Sequence, residues 1–134
     1  MVDSEITEQI IGAAIAVHRM FGPGLLEGVY EECTSIELEA RGLACLRQVK
    51  APIVYKGRRI ASDLKLDLLV ENLVIVELKA VDARLPVHEA QLLTYLRLTD
   101  RRLGLLINFN LPVLRHGIKR MINNPVDVEA VGAE

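Results

Sequence analysis

The stretch LKLDLLVENLVIVELKA, residues 64–80, decides the fold because it is typical of two β-strands folded back on each other. Alternation gives each strand an apolar face, made of Leu64, Leu66, Leu68 and Val70 in the first and Val74, Val76, Leu78 and Ala80 in the second. A three-residue loop, 71–73, pairs Val70 with Val74 and keeps the two apolar faces together, whereas a two-residue loop would mix the faces. The pattern therefore predicts an antiparallel hairpin with one defined register.

The opposite face of this hairpin is charged. It carries Asp63, Lys65, Asp67 and Leu69 in the first strand and Ile75, Glu77 and Lys79 in the second. In the predicted register Asp67 pairs with Glu77, and Lys65 pairs with Lys79. Like charges directly opposite each other repel, so this arrangement needs a compensating group.

A divalent cation would provide that compensation. Mg²⁺ binds carboxylate oxygens and keeps several waters for a phosphate substrate and a nucleophile, so Asp67 and Glu77 are candidate metal ligands. Lys79 could then orient a water or neutralise charge that develops on a phosphate. The alternative is a solvated ladder of ion pairs, which is what most charged strand faces form.

Length and composition limit the class of protein. With 134 residues, 51% of them hydrophobic, we expect one domain over residues 1–121 and a loose tail over 122–134. The sequence contains no run of eighteen apolar residues and no apolar leader, so we expect a cytoplasmic protein that does not contact a membrane. Cys33 and Cys45 are isolated, which predicts reduced thiols rather than a zinc site.

The formal net charge of −2 lacks the large basic excess of many nucleic-acid-binding proteins. Any contact with phosphates must therefore be local. Three local clusters of cations exist, although each is more often solvated surface than a phosphate track. They are Lys50, Lys56, Arg58 and Arg59; Arg97, Arg101 and Arg102; and Arg115, His116, Lys119 and Arg120.

Helical periodicity flanks the hairpin on both sides. It predicts helices over about 4–20, 25–41 and 86–99, with FGPG breaking the first and Gly42 ending the second. Strands are predicted over 43–60, turning near Lys56 and Gly57, and over 103–109, with a last strand or turn over 113–120. The predicted apolar face of the second helix is Leu26, Val29, Cys33, Ile36 and Ala40. This order of elements is typical of one sheet flanked by helices.

Polar residues at helical spacing add candidate site residues. They are Glu27, Tyr30 and Glu31 on the second helix, where all three could point at one spot, and His88, Gln91 and Tyr95 on the third. His18 lies at the edge of the first helix's apolar face, and this position predicts a hydrogen-bonded side chain rather than a metal ligand.

Four separated segments resemble one known family. GPGLLEGVY, residues 22–30, is similar to the signature of the small bacterial and archaeal GxxExxY proteins, with Gly24, Glu27 and Tyr30 on the named positions. DLLVENLVIVELKA, HEAQLLTYLRL and LGLLINFN resemble the rest of that family in the same order, so the likeness covers about 10–120. By this resemblance the chain is identified with the PD-(D/E)XK nuclease-like superfamily. The resemblance implies an α/β (α+β) fold with a restriction-endonuclease-like core, a mixed central β-sheet flanked by α-helices.

The same resemblance implies roles for residues of the hairpin. Asp67 and Glu77 would be the metal-binding carboxylates, with the carbonyl of Leu78 as a further metal contact. Lys79 would be the catalytic lysine of the ExK element. The superfamily name expects a proline before the first acid, and this chain has Leu66 there.

The resemblance assigns helical residues to the site as well. Glu27 would be an additional catalytic acid, and Gln91 would orient the lysine or the attacking water. Tyr30, His88 and Tyr95 would either support the site or contact the substrate.

The function implied is that of a metal-dependent nuclease that hydrolyses nucleic-acid phosphodiester bonds with Mg²⁺ or Mn²⁺. The expected partner is nucleic acid, with DNA expected before RNA, and a homodimer is allowed. Two alternatives remain open. A catalytically inert nuclease-fold module could bind nucleic acid or protein, or the leucine-rich helix 86–99 could serve as an assembly face of an interaction subunit.

Overall fold

The computed structural model describes residues 1–61 and 64–124. Its elements, in chain order, are α1 (Asp3–Phe21), α2 (Glu27–Ala40), β1 (Cys45–Ala51), β2 (Val54–Tyr55), β3 (Arg58–Arg59), β4 (Leu64–Val70), β5 (Val74–Lys79), α3 (Pro86–Leu98), β6 (Leu103–Asn108), a 3-10 turn (Leu114–Gly117) and β7 (Ile118–Ile122). The predicted order of helices and strands is confirmed, including the turn at Lys56 and Gly57, which both have positive φ.

Five strands form one mixed sheet in the order β1-β4-β5-β6-β7. All neighbours are antiparallel except β5 and β6, which are parallel and joined by the crossover helix α3. Helices α1 and α2 contact each other and one face of the sheet, whereas α3 contacts β5, β6 and β7. The cores on the two faces are separate, so the predicted restriction-endonuclease-like arrangement, a mixed sheet flanked by helices, is confirmed.

The register predicted for the central hairpin is confirmed over the three pairs nearest the turn, whereas the predicted pairing of Asp67 with Glu77 is not part of the ladder. Val70 pairs with Val74, and the ladder continues to Leu68 and Val76. Both strands are largely buried, and β5 has no fully exposed residue. A charged side chain in β5 therefore lies in an environment that disfavours charge.

The predicted apolar face of β4 is wrong in its first half. Leu68 and Val70 belong to the core on the α1 and α2 side, whereas Leu66, with Leu64 packed beside it, belongs to the core on the α3 side. The strand changes faces at Asp67, opposite Gln48 of β1, and Gln48 has a φ of 50°. Alternation along one strand does not anticipate such a reversal, because it assumes ordinary extended angles at every residue.

The predicted pairing of Lys65 with Lys79 is wrong as well. Lys65 lies opposite Lys50 of β1, and the ladder between β4 and β5 ends at Leu68 and Val76. Asp63, which was predicted to share the charged face, lies outside the described residues.

The predicted apolar face of α2 is wrong as well. Leu26 and Ile36 are exposed, and the helix instead buries Tyr30, Thr34 and Leu38 together with Glu31 and Ser35. Burying a glutamate is tolerated here because neighbouring cationic and amide groups of β1 satisfy it. Partners on another strand, not the helix's own pattern, decide which side faces inward.

Several smaller expectations have clear outcomes. His18 is buried at the core's edge, and its Nε2 lies 2.7 Å from the Leu111 carbonyl oxygen, as predicted. Cys33 and Cys45 are free thiols. In the described part of the chain no helix is long and apolar enough to cross a membrane. The loose tail stays a prediction, because Ile122 ends β7 and residues 125–134 lie outside the described residues.

Candidate active site

The candidate site lies where β4 separates from β5. Beyond the last ladder pair, the Asp67 side chain takes the place of a strand contact, since its Oδ2 accepts a hydrogen bond of 2.9 Å from the Leu78 N–H. The Asp67 N–H in turn donates to Glu77 Oε1 over 3.2 Å. The two predicted carboxylates are thus brought together between the central strands.

Burial strongly perturbs one of these acids. Glu77 is 4% exposed, and desolvation, followed by the charge of Asp67 and a hydrogen bond to its carboxyl group, raises the pKa of Glu77 to about 9. Lys79 and the Asp67 N–H act in the opposite direction. Near neutral pH Glu77 therefore keeps its proton in the absence of another cation.

Lys79 and Glu27 approach the acids from different elements. Lys79 ends β5 and is half-buried, and its positive charge lowers the pKa values of both Glu27 and Glu77. Burial nevertheless leaves the pKa of Glu27 raised overall, with Asp67 and Glu31 adding to the effect. Glu27, the first residue of α2, therefore lies within electrostatic reach of Asp67 and Lys79.

The backbone of β5 directs one carbonyl toward the same place. The Lys79 carbonyl accepts the Phe109 N–H and so faces β6. Because successive residues of a strand point their backbone groups in alternate directions, the Leu78 carbonyl faces the other way, toward β4. The Leu78 N–H bond to Asp67 agrees with that direction.

A polar bridge behind Asp67 was missed by sequence reasoning. The Gln48 amide donates to Glu31 Oε1 over 2.6 Å and lies 3.4 Å from Asp67 Oδ1, while Arg47 forms an ion pair with Glu31 at 3.0 Å. This bridge connects α2 to the site through β1. Only the helical spacing of Glu31 from Glu27 hinted at it, since no sequence pattern predicts a positive φ at a glutamine.

The polar stripe of α3 is only partly directed at the acids. Tyr95 is buried, and desolvation, followed by the charges of Glu77 and Asp67, raises its pKa. Gln91 lies one helical turn before Tyr95 and is exposed, and none of the described residues hydrogen bonds to its side chain. His88 Nδ1 accepts the Leu85 N–H and so caps the helix.

Tyr30 does not point at the site with Glu27. It is fully buried and stacks on Phe109, with ring centroids 4.4 Å apart. Its hydroxyl donates to the Gly22 carbonyl at 2.5 Å and accepts the Leu25 N–H at 3.1 Å. The structure therefore gives this tyrosine a role in fixing the loop that leads into α2.

The donor atoms fit a hard divalent cation. Among residues 1–61 and 64–124, no three His, Cys, Asp or Glu side chains form a shared ligand group. Mg²⁺ does not need one, because it is commonly held by one or two carboxylates and retains several waters. Asp67 and Glu77, with the Leu78 carbonyl, offer oxygen donors whose crowded negative charge a cation would relieve.

The mixed sheet between helix layers, with two acids and a lysine on its central strands, defines the restriction-endonuclease-like class of fold. The model of the PD-(D/E)XK nuclease superfamily matches residues 4–121. The chain therefore belongs to this superfamily, and membership indicates nuclease-like function directed at nucleic acid. No curated protein and no solved structure matches the chain significantly.

Proposed function

We propose that this protein is a metal-dependent nuclease that hydrolyses phosphodiester bonds at Asp67, Glu77 and Lys79. The observation that carries the proposal is the burial of Glu77 beside the half-buried Asp67, whose N–H it accepts, because holding two acids together there is costly unless a ligand makes use of them. Perturbed acids beside a lysine are typical of catalytic centres. A purely structural pair would be better served by apolar residues.

Asp67, Glu77 and the Leu78 carbonyl would hold Mg²⁺ or Mn²⁺. Bound there, the ion would supply Lewis acidity that activates water and stabilises negative charge on the phosphate. Asp67 is already oriented for this role by the Leu78 N–H and the Gln48 amide.

The remaining groups would act on the substrate and the water. The Lys79 ammonium group would neutralise charge that develops on the phosphate and position the attacking water. Glu27 would accept a proton or orient that water, and Gln91, an exposed residue of α3, would orient Lys79 or the water. Tyr95 would support Glu77. His88 and Tyr30 would act on the site indirectly, His88 by capping α3 and Tyr30 by fixing the loop that leads into α2.

A cleavage assay tests the proposal directly. Labelled single- and double-stranded DNA and RNA are incubated with the protein and Mn²⁺, Mg²⁺ or EDTA. We expect cleavage only with metal, and none with Glu77→Gln or Lys79→Ala. Glu32→Gln and Lys119→Ala, which change exposed residues of the same types, are the matched controls and should cleave normally. Equal cleavage by all five proteins would refute the proposal.

The inert module makes the opposite prediction about metal. Calorimetric titration with Mn²⁺ should give binding to the wild type that is weakened by Glu77→Gln if Asp67 and Glu77 are ligands. Absence of binding, unchanged by the substitution, would favour the module. The interaction-subunit alternative receives little support from α3, because Leu92 and Leu96 are buried against the protein's own sheet.

We also propose a family, a cellular location, a substrate and an assembly for this protein. The GPGLLEGVY segment supports placing the chain in the GxxExxY family, and the absence of any long apolar stretch supports the expected cytoplasmic location. DNA as the substrate and a homodimer as the assembly are the further expectations. The cleavage panel tests the first, and light scattering tests the second.

A further inference from the structure

The small hairpin formed by β2 and β3 has a composition unlike the rest of the chain. Residues 50–61 contain four cations and no carboxylate, although the whole chain has a formal net charge of −2. All residues of β2 and β3 are exposed, and the two strands pair with each other rather than with the main sheet. The hairpin is therefore a basic arm that contributes little to either core.

At the base of this arm two lysines face each other. Lys50 and Lys65 are directly paired across β1 and β4, and both are exposed. Like charges in this position destabilise a sheet. In residues 1–61 and 64–124 no carboxylate lies within ion-pair distance of either lysine. A bound polyanion would remove this repulsion.

The lysine pair also lies on the side of the sheet that faces α2. Val49 and Leu66, the neighbours of the two lysines, point into the α3-side core, so Lys50 and Lys65 project to the α2 side. This is the side of the sheet that carries α2, whose first residue is Glu27. Two residues of extended strand separate Lys65 from Asp67, which corresponds to about 7 Å.

The tip of the arm adds an aromatic surface. Tyr55 is 63% exposed, more than any other Tyr or Phe of the described chain, and the Lys56 ammonium group lies 5.6 Å from its ring centroid. Arg58 is paired with Tyr55 across the hairpin. Cations that follow a backbone, combined with an aromatic ring that stacks on an unpaired base, are the means by which proteins bind single strands.

We propose that this arm binds a single strand of nucleic acid next to the catalytic acids. Lys50, Lys65, Lys56 and Arg58 contact the phosphates, and Tyr55 stacks on a base. The inference rests on the proposed nuclease function and extends it, since it assigns the segment of substrate beside the scissile phosphate to a surface outside the active site.

Binding can be measured without cleavage. Fluorescence anisotropy of a labelled twelve-nucleotide oligo-dT or oligo-U, in EDTA, gives the affinity for each variant as a function of salt. Removing two phosphate contacts with Lys50→Ala/Lys65→Ala should reduce the slope of log K against log salt by about 1.4, and affinity about 25-fold at 0.1 M salt. Tyr55→Leu should weaken binding about tenfold, whereas Tyr55→Phe should bind normally.

The control removes two exposed cations far from the hairpin, Arg120 of the opposite edge strand β7 and Arg115 of the 3-10 turn before it, as Arg115→Ala/Arg120→Ala, and should leave the slope unchanged. All variants should unfold at or above the wild-type temperature, because the substituted side chains are exposed and the lysine pair is repulsive. Equal losses in the control and hairpin variants, or equal affinity for the single strand in wild type and Tyr55→Leu, would overturn the proposal.

The two proposals fail in different ways. If the lysine variant binds and cleaves like the wild type while Glu77→Gln is inactive, the arm is not a binding surface but the nuclease function stands. If Glu77→Gln cleaves normally while the lysine variant has lost binding, the assigned catalytic site is wrong and the binding arm remains.

Discussion

Replacing Glu77 by glutamine should make the metal-free protein more stable at high pH. The pKa of Glu77 rises from 4.5 in the unfolded chain to about 9 in the folded protein, mainly because the side chain is buried and lies beside Asp67. The folded state then retains a proton that the unfolded state releases. Its contribution to stability is full below pH 4.5 and is lost as the pH rises through 9.

The size of the effect follows from that difference. Between the two pKa values, one extra proton in the folded state lowers the free energy of unfolding by about 1.4 kcal/mol per pH unit. From pH 6 to pH 8 the wild type should lose about 3 kcal/mol from this group alone. Glutamine keeps an oxygen that can accept the Asp67 N–H but cannot ionise, so the variant lacks this loss.

Urea unfolding in EDTA at pH 6, 7 and 8 measures the difference. We expect the free energies of wild type and Glu77→Gln to diverge by about 3 kcal/mol over this range, with the variant favoured at pH 8. Glu32→Gln removes an exposed acid of α2 and should follow the wild type. Parallel curves for wild type and Glu77→Gln would refute the argument that Glu77 is protonated in the folded protein.

Three further predictions concern the framework of the site. Gln48→Gly should be more stable than Gln48→Ala by about 1 kcal/mol in urea unfolding, because both variants lose the amide bridge but only glycine tolerates the positive φ. Equal free energies of unfolding for the two variants would show that position 48 is not strained by its positive φ. Gly117→Ala should lower the free energy of unfolding by about 1–3 kcal/mol, since a Cβ would overlap the Asn108 carbonyl oxygen. Gly28→Ala has open space in a helix and should raise the free energy of unfolding by about 0.5–1 kcal/mol. Similar thermal shifts for the two variants would be inconsistent with the contact at Gly117. Tyr30→Phe keeps the ring stack but leaves the Gly22 and Leu25 groups without a partner, so we expect a loss of about 1–3 kcal/mol by chemical denaturation, and an unchanged midpoint would argue against the loop-fixing role.

The hairpin register and the element order could be predicted because they depend on neighbours in sequence. Apolar residues at alternate positions on both sides of a short turn allow one register, and Val70 does pair with Val74. The helices likewise begin and end close to their predicted residues, at glycine and proline signals.

The surroundings of the acids could not be predicted in the same way. The change of face at Asp67 lies opposite a positive φ at Gln48 in a different strand, and the buried side of α2 brings Glu31 to Arg47 and Gln48, which satisfy it. The role of Tyr30 depends on Phe109, nearly eighty residues away. None of these contacts leaves a periodic trace in the sequence.

The amino-acid sequence by itself determined which residues form the central hairpin and that Asp67, Glu77 and Lys79 occur on it, since strand alternation and turn length act locally. Only the tertiary structure decided that β4 parts from β5 at Asp67 and that Glu77 is buried deeply enough to keep its proton. The physical reason is that desolvation and the charge of neighbouring groups depend on distances in space, which are set when β1, β4, β5 and the helices pack together.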